Sequence, residues 1–154
     1  SDGVLENLMS RLDDSVVMEV EPVFADSGEY PKALMEFINC DMEALNWRFM
    51  APGMRHARLW EGLSGERLWL LRARGGIAVP EHRHNADEWT LVVKGSYRTS
   101  LGEFRVGDID IADEDVIHQP LIAEDEECIC LVMTEGPIRL NSLMARMVQP
   151  FIGV

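Results

Sequence analysis

The chain has 154 residues, 47% of them hydrophobic, which suits one folded domain whose core needs no disulfide or metal staples. Its formal net charge is −13, from 27 acidic against 14 basic residues, so it lacks the material for the basic face that nucleic acid or an anionic membrane surface requires. No apolar run approaches a membrane span, no basic-then-apolar leader opens the chain, and three scattered cysteines, Cys40, Cys128 and Cys130, do not make a secreted disulfide framework. The expected compartment is the reducing cytoplasm. The start at Ser1 without a Met reads as a trimmed chain.

Val4, Leu5, Leu8, Met9 and Leu12 recur at helical spacing. A second short helix is predicted over 31–39, with Pro31 at its first position and Leu34, Met35 and Ile38 on one face. From Trp47 the period changes. Trp47, Phe49, Arg58–Trp60, Leu68–Leu71, Ile77–Val79, Trp89–Val93, Ile109–Ile111 and Cys128–Met133 are short apolar or alternating runs. Between them stand Pro52-Gly53, Ser64-Gly65, Gly75-Gly76, Lys94-Gly95, Leu101-Gly102 and Gly107-Asp108, dipeptides that punctuate turns. Many short strands at close spacing predict an antiparallel sandwich or barrel. After Gly136-Pro137, Leu140, Leu143, Met144, Met147 and Val148 share a helical face, and Pro150 ends it. The expected organisation is a helical segment over 1–45, a β-barrel over 46–136 and a helical tail over 137–154 packed on the barrel.

The densest chemistry lies in Gly76–Gly95, which reads GIAVPEHRHNADEWTLVVKG. His82 and His84 are two apart, so on an extended strand they project to one side. Asn85-Ala86-Asp87 can turn the chain and bring the Glu88 carboxylate beside both imidazoles. His118, far along the chain, would reach the same place from a neighbouring strand. Three imidazoles and a carboxylate suit zinc, and also iron, manganese, nickel or copper. Such a set can leave a position open for water or substrate, or be closed and structural. Two histidines facing one way arise by chance. The pair, the glutamate, the flanking glycines and the distant histidine together are harder to explain without a metal.

Other residues take plainer readings. His56 stands alone and is read as an ordinary polar or half-buried residue. Cys128 and Cys130 share a strand face; they could report oxidation or add soft ligands, but two small core residues are the preferred reading. Glu81, Asp87 and Glu103 are read as solvated loop carboxylates. Trp60, Trp69 and Trp89 are expected to pack the core.

Gly76, His82, His84, Glu88 and Gly95 stand at the spacing of the first cupin motif, and Gly107 and His118 at that of the second. The second motif departs at Asp113, Asp115 and Ile122, where cupins usually have proline, glycine and asparagine. Within cupins the chain resembles the C-terminal cupin-like domain of the ChrR anti-sigma factors. The resembling residues are Asn46-Trp47-Arg48, Pro52-Gly53, Leu68-Trp69-Leu70-Leu71-Arg72, the metal segment, Cys128-Ile129-Cys130-Leu131, Gly136-Pro137-Ile138-Arg139-Leu140 and Gln149-Pro150-Phe151-Ile152-Gly153.

The resemblance implies a mainly-β fold, a single cupin (double-stranded β-helix or jelly-roll barrel) with short N-terminal helices and a C-terminal helix. It implies one divalent transition metal on His82, His84, Glu88 and His118, zinc foremost, with iron, manganese or nickel as alternatives. It implies a sensor role in the transcriptional response to singlet oxygen and related oxidants, without turnover. The partner would be an extracytoplasmic-function sigma factor, bound through an N-terminal zinc domain that this sequence lacks. The competing reading is a metal-dependent enzyme, since cupins with three histidines and a glutamate include dioxygenases that cleave small diketones. No catalytic residue is identifiable for it. Exposed strand edges make a homodimer an open expectation.

Overall fold

A computed structural model describes residues 29–83, 87–135 and 139–140 of the chain. The amphipathic stretch at 4–12, His84 and nearly all of the helix expected after Gly136-Pro137 lie outside the described residues.

The first described element is helix α1 (Lys32–Ile38). Pro31 stands just before it rather than at its first position, and the Pro31 carbonyl accepts the N–H groups of Leu34 and Met35. Asn39 ends the helix in the left-handed region at φ 50°, with its N–H bonded to the Met35 carbonyl, as asparagine at a helix end can. A single 3-10 turn, Met42–Ala44, leads into the strands.

Among the described residues the strands are β1 (Arg48–Ala51), β2 (Met54–Glu61), β3 (Arg67–Ala73), β4 (His82–Arg83), β5 (Glu88–Lys94), β6 (Ser96–Thr99), β7 (Gly102–Arg105), β8 (Ile109–Ala112), β9 (Ile117–His118), β10 (Leu121–Ile122), β11 (Cys128–Thr134) and β12 (Arg139–Leu140). All pairings are antiparallel. One six-stranded sheet runs β1-β2-β3-β11-β5-β8; two three-stranded sheets run β10-β6-β7 and β12-β4-β9. This is the mainly-β, antiparallel architecture expected from the short runs; four of the predicted turn dipeptides fall between strands, while Lys94 of Lys94-Gly95 ends β5 and Gly102 of Leu101-Gly102 opens β7. Gly95 shows why one of them must be glycine. Its φ is +71°, and a Cβ there would run into the Glu127 carbonyl.

Alternation along the large sheet divides the core in two. One face carries Met54, Trp69, Cys128, Cys130 and Val132, which cluster with Val79, Tyr97 and Ile122 from outside that sheet. The other face carries Ala57, Leu70, Val93 and Ile129, which pack against Leu34 of α1 and Met42 of the 3-10 turn. Leu70 and Ile129 are fully buried; a buried aliphatic side chain of this size contributes roughly 1.5–3 kcal/mol. Arg72 fastens the turn to the sheet by a two-point contact with Glu127 at 2.6 and 3.1 Å and an ion pair with Glu43 at 2.8 Å.

Four expectations differ in detail. The β6–β7 hairpin is not among the apolar runs, because its strands SYRT and GEFR are largely polar; stacking of Tyr97 on Phe104 at 5.2 Å secures it. Of the run 77–79, the ladder contact is a bridge from Ala78 to Leu121. Leu140, placed by spacing on the closing helix, instead pairs with His82 as the end of β12. Trp69 is core, but Trp60 and Trp89 are each 48% exposed, and neither joins either core cluster.

Candidate metal centre

Pairing register, more than sequence spacing, assembles the site. His82 on β4 lies directly opposite His118 on β9. Side chains of directly opposed residues in an antiparallel ladder stand on one side, about 5 Å apart at Cβ. Glu88 opens β5 between Thr134 of β11 and Ala112 of β8. His82, Glu88 and His118 are each buried, and their donor atoms lie within 4.8 Å of one another.

The two imidazoles converge through Nε2, at 3.0 Å, with rings tilted by 59°. His82 Nδ1 is 2.9 Å from the Pro80 carbonyl oxygen. A carbonyl only accepts, so Nδ1 carries the proton and, in the neutral ring, Nε2 carries the lone pair. Thr90 donates its hydroxyl to Glu88 Oε1 at 3.2 Å, holding that carboxylate in place. A lone pair facing a second imidazole nitrogen, with a buried carboxylate alongside, is a donor set that fits a divalent transition metal. Of the four ligands expected from the motif, the structure brings together His82, Glu88 and His118; His84 lies outside the described residues.

The site opens on an interior cavity of about 300 Å³. Its wall is mostly apolar, with Met50, Met54, Trp69, Val79, Ile122 and Val132 prominent. Ile122, the departure from the cupin asparagine, is thus a core residue of this wall. The other two departures make their own turn: Asp115 N–H donates to Asp113 Oδ1 at 3.0 Å, an Asx-type turn in place of proline and glycine.

Cys128 and Cys130 also face the barrel interior, with sulfurs 3.6 Å apart. The hydrogen bond shared with Cys128, burial, and the negative Glu88 and Asp110 together push the Cys130 thiol well above its ordinary range, so Cys130 stays a neutral thiol and packs as core. Glu81 and Asp87 are exposed, as expected of loop carboxylates; Glu103 is exposed too, but it stands on β7 and pairs with Arg105 at 3.1 Å. His56 is buried at 2% exposure, deeper than its plain reading implied. Burial, with the nearby Arg58 and Arg48 charges, lowers its pKa.

Sequence reasoning missed Asp110 and Tyr97. The Tyr97 hydroxyl donates to Asp110 Oδ2 at 2.9 Å, and Asp110 Oδ2 lies 4.0 Å from His118 Nδ1. Burial foremost, then the Asp110 charge, raises the Tyr97 pKa, which keeps the phenol protonated as a donor. The available signal was the strand IDIA, where an acidic residue alternates with isoleucines.

Residues 35–138 match the model of the ChrR cupin-like domain. Over its whole length the chain is 37% identical to the anti-sigma-E factor ChrR of Cereibacter sphaeroides and covers 71% of that protein. The crystal structure of Rhodobacter sphaeroides SigE in complex with the anti-sigma ChrR aligns over 86% of this chain and 77% of that one, at 31% identity and a TM-score of 0.65. An RmlC-like cupin from Ralstonia eutropha JMP134 aligns over 72% of this chain and 78% of its own, at 24% identity and a TM-score of 0.59, a likeness of fold alone. With its motif spacing, its antiparallel strands, the family model and a relative matched over this whole chain in agreement, the chain belongs to the ChrR cupin-like family of anti-sigma factor domains.

Proposed function

We propose that this domain holds one divalent metal, zinc by preference, on His82, Glu88 and His118 with His84 as a fourth donor, and acts as the sensing domain of an anti-sigma factor responding to singlet oxygen or related oxidants. The observation that carries the metal reading is the convergence of two buried Nε2 atoms at 3.0 Å beside the Glu88 carboxylate. The sensing reading rests on the 37% identity to an anti-sigma factor, and the sigma-factor partner on the relative solved in complex with SigE. The barrel would span 46–136 and be joined by β12 at Arg139–Leu140, with a helical segment at 1–45 before it and the helical tail after Leu140. Zinc has no redox chemistry of its own and would supply a fixed charge that holds its ligands together. The protein's residues do the rest. Pro80 fixes the His82 tautomer, Thr90 orients Glu88, and the ligands sit buried among apolar side chains. A signal that altered a ligand would then loosen the junction of β4, β5 and β9, a local change with a long reach.

The apolar cavity beside the ligands favours a second reading, a dioxygenase acting on a small apolar diketone. One experiment separates the two. The tag-free protein is analysed for metals and its oxygen uptake is followed with acetylacetone as the probe. About one zinc per chain and no uptake is the expected result. Iron with acetylacetone-dependent uptake would establish the enzyme, and a metal-free protein that takes up no added zinc would sink both.

A further inference from the structure

We propose that Asp110, held by Tyr97, is the positioning carboxylate of the metal centre: it accepts the Nδ1 proton of His118 and so keeps the Nε2 lone pair of His118 aimed at the metal. This rests on the metal reading above and adds to it Asp110, which stands at a variable position of the second cupin motif.

The first ground is the inverted strand. In β8, Asp110 is 4% exposed, while its neighbours Ile109 and Ile111 are each 54% exposed. A strand placed for packing alone would turn its isoleucines inward and its aspartate to water. Register fixes the inversion: Glu88 pairs with Ala112 and Thr90 with Asp110, so Asp110 falls on the face that carries Glu88. The arrangement gives up two apolar positions to place a carboxylate inside.

The second ground is geometry. Asp110 Oδ2 takes the Tyr97 hydroxyl at 2.9 Å and lies 4.0 Å from His118 Nδ1. A movement of about 1 Å closes that gap to hydrogen-bond length. The other ring nitrogen of His118 is the one that meets His82. His82 is already fixed in the same sense by the Pro80 carbonyl. Each imidazole thus has an oxygen behind Nδ1 and its Nε2 toward the centre, the outer arrangement that orients metal-bound histidines. Tyr97 stacks on Phe104 across the β6–β7 hairpin, so its hydroxyl is a rigid anchor for the carboxylate.

The third ground is charge. Glu88 and Asp110 bring two carboxylates into one buried space, a costly arrangement unless positive charge offsets it. A divalent ion balances both when Glu88 binds it directly and Asp110 acts through His118.

The test compares the tag-free parent, Asp110→Asn and Tyr97→Phe. Zinc affinity is read by chelator competition, the metal-free melting temperature by scanning calorimetry, and the His118 tautomer in the zinc form by nitrogen-15 NMR. The parent should show His118 protonated at Nδ1. Asp110→Asn should bind zinc about 10- to 100-fold more weakly, and Tyr97→Phe should show a smaller loss in the same direction. A purely structural Asp110 would lower the melting temperature and leave the affinity of the folded protein unchanged; that result overturns the proposal. So does a parent in which His118 is protonated at Nε2. If Asp110→Asn does not fold, the parent tautomer and Tyr97→Phe decide. A parent that takes up no zinc removes the metal reading together with this one, whereas normal binding by both the parent and Asp110→Asn removes this one alone.

Discussion

His56 on β2 and His118 on β9 are buried to nearly the same depth, at 2% and 6% exposure. Their surroundings are opposite. His56 meets the edge of Trp69 at 6.4 Å, has the Arg48 and Arg58 charges nearby, and neither of its ring nitrogens has a hydrogen-bond partner among the described residues. His118 faces the Nε2 of His82 on one side and the Asp110 carboxylate on the other. Cationic surroundings repel a metal ion, and anionic surroundings with a convergent lone pair attract one. Depth therefore does not mark a ligand; the charge and direction of its neighbours do.

The comparison breaks most sharply at His118→Ala. Loss of one protein ligand should weaken zinc binding by about 10³-fold or more, near 4 kcal/mol, while His56→Leu should leave affinity unchanged; chelator competition reads both. Equal metal content in the His118 variant and its parent would refute the ligand assignment. Next in size is a variant that strikes the fold and spares the site. Ile129 is fully buried on the sheet face away from the ligands, so Ile129→Ala should cost about 2–4 kcal/mol by urea unfolding. Zinc affinity of the folded variant should stay within a few-fold of the parent. A parallel loss of affinity would mean that the two faces of the sheet act as one unit.

The sequence made much of this legible, for identifiable reasons. Strands read easily where turn glycines bracket an apolar run, as Gly95 does for Trp89–Val93. They were lost where pairing, not hydropathy, makes the strand, as in the hairpin of Tyr97 and Phe104. His82, Glu88 and His118 were readable because their spacing is set by the chain itself, and register then brought them together. Asp110 was not, because alternation tells which residues share a face but not which face is inside. In an acidic chain the aspartate of IDIA is assigned to solvent by default. The same default left His56 half-buried when it is almost wholly enclosed, because no residue near it in sequence shows that Trp69 and the barrel interior will cover it.

The smallest effect concerns His56 alone. Its folded pKa is lowered from about 6.5 by burial first and by Arg58 and Arg48 second. The unfolded chain therefore binds this proton more readily than the fold does. Above about pH 7 both states leave the ring neutral and it adds no pH dependence. As pH falls below about 6.5 the unfolded state takes up the proton first, so stability declines until the folded pKa is passed. The slope from one such group cannot exceed about 1.4 kcal/mol per pH unit. His56→Leu removes the titration. Other histidines titrate in both proteins, so the quantity to follow is the difference in unfolding free energy between parent and variant from pH 8 to pH 5. It should be flat down to about pH 7 and then move against the parent. A constant difference across the range would show that the Trp69 side of the barrel admits the charged ring at little cost, and the contrast with His118 would then rest on direction alone.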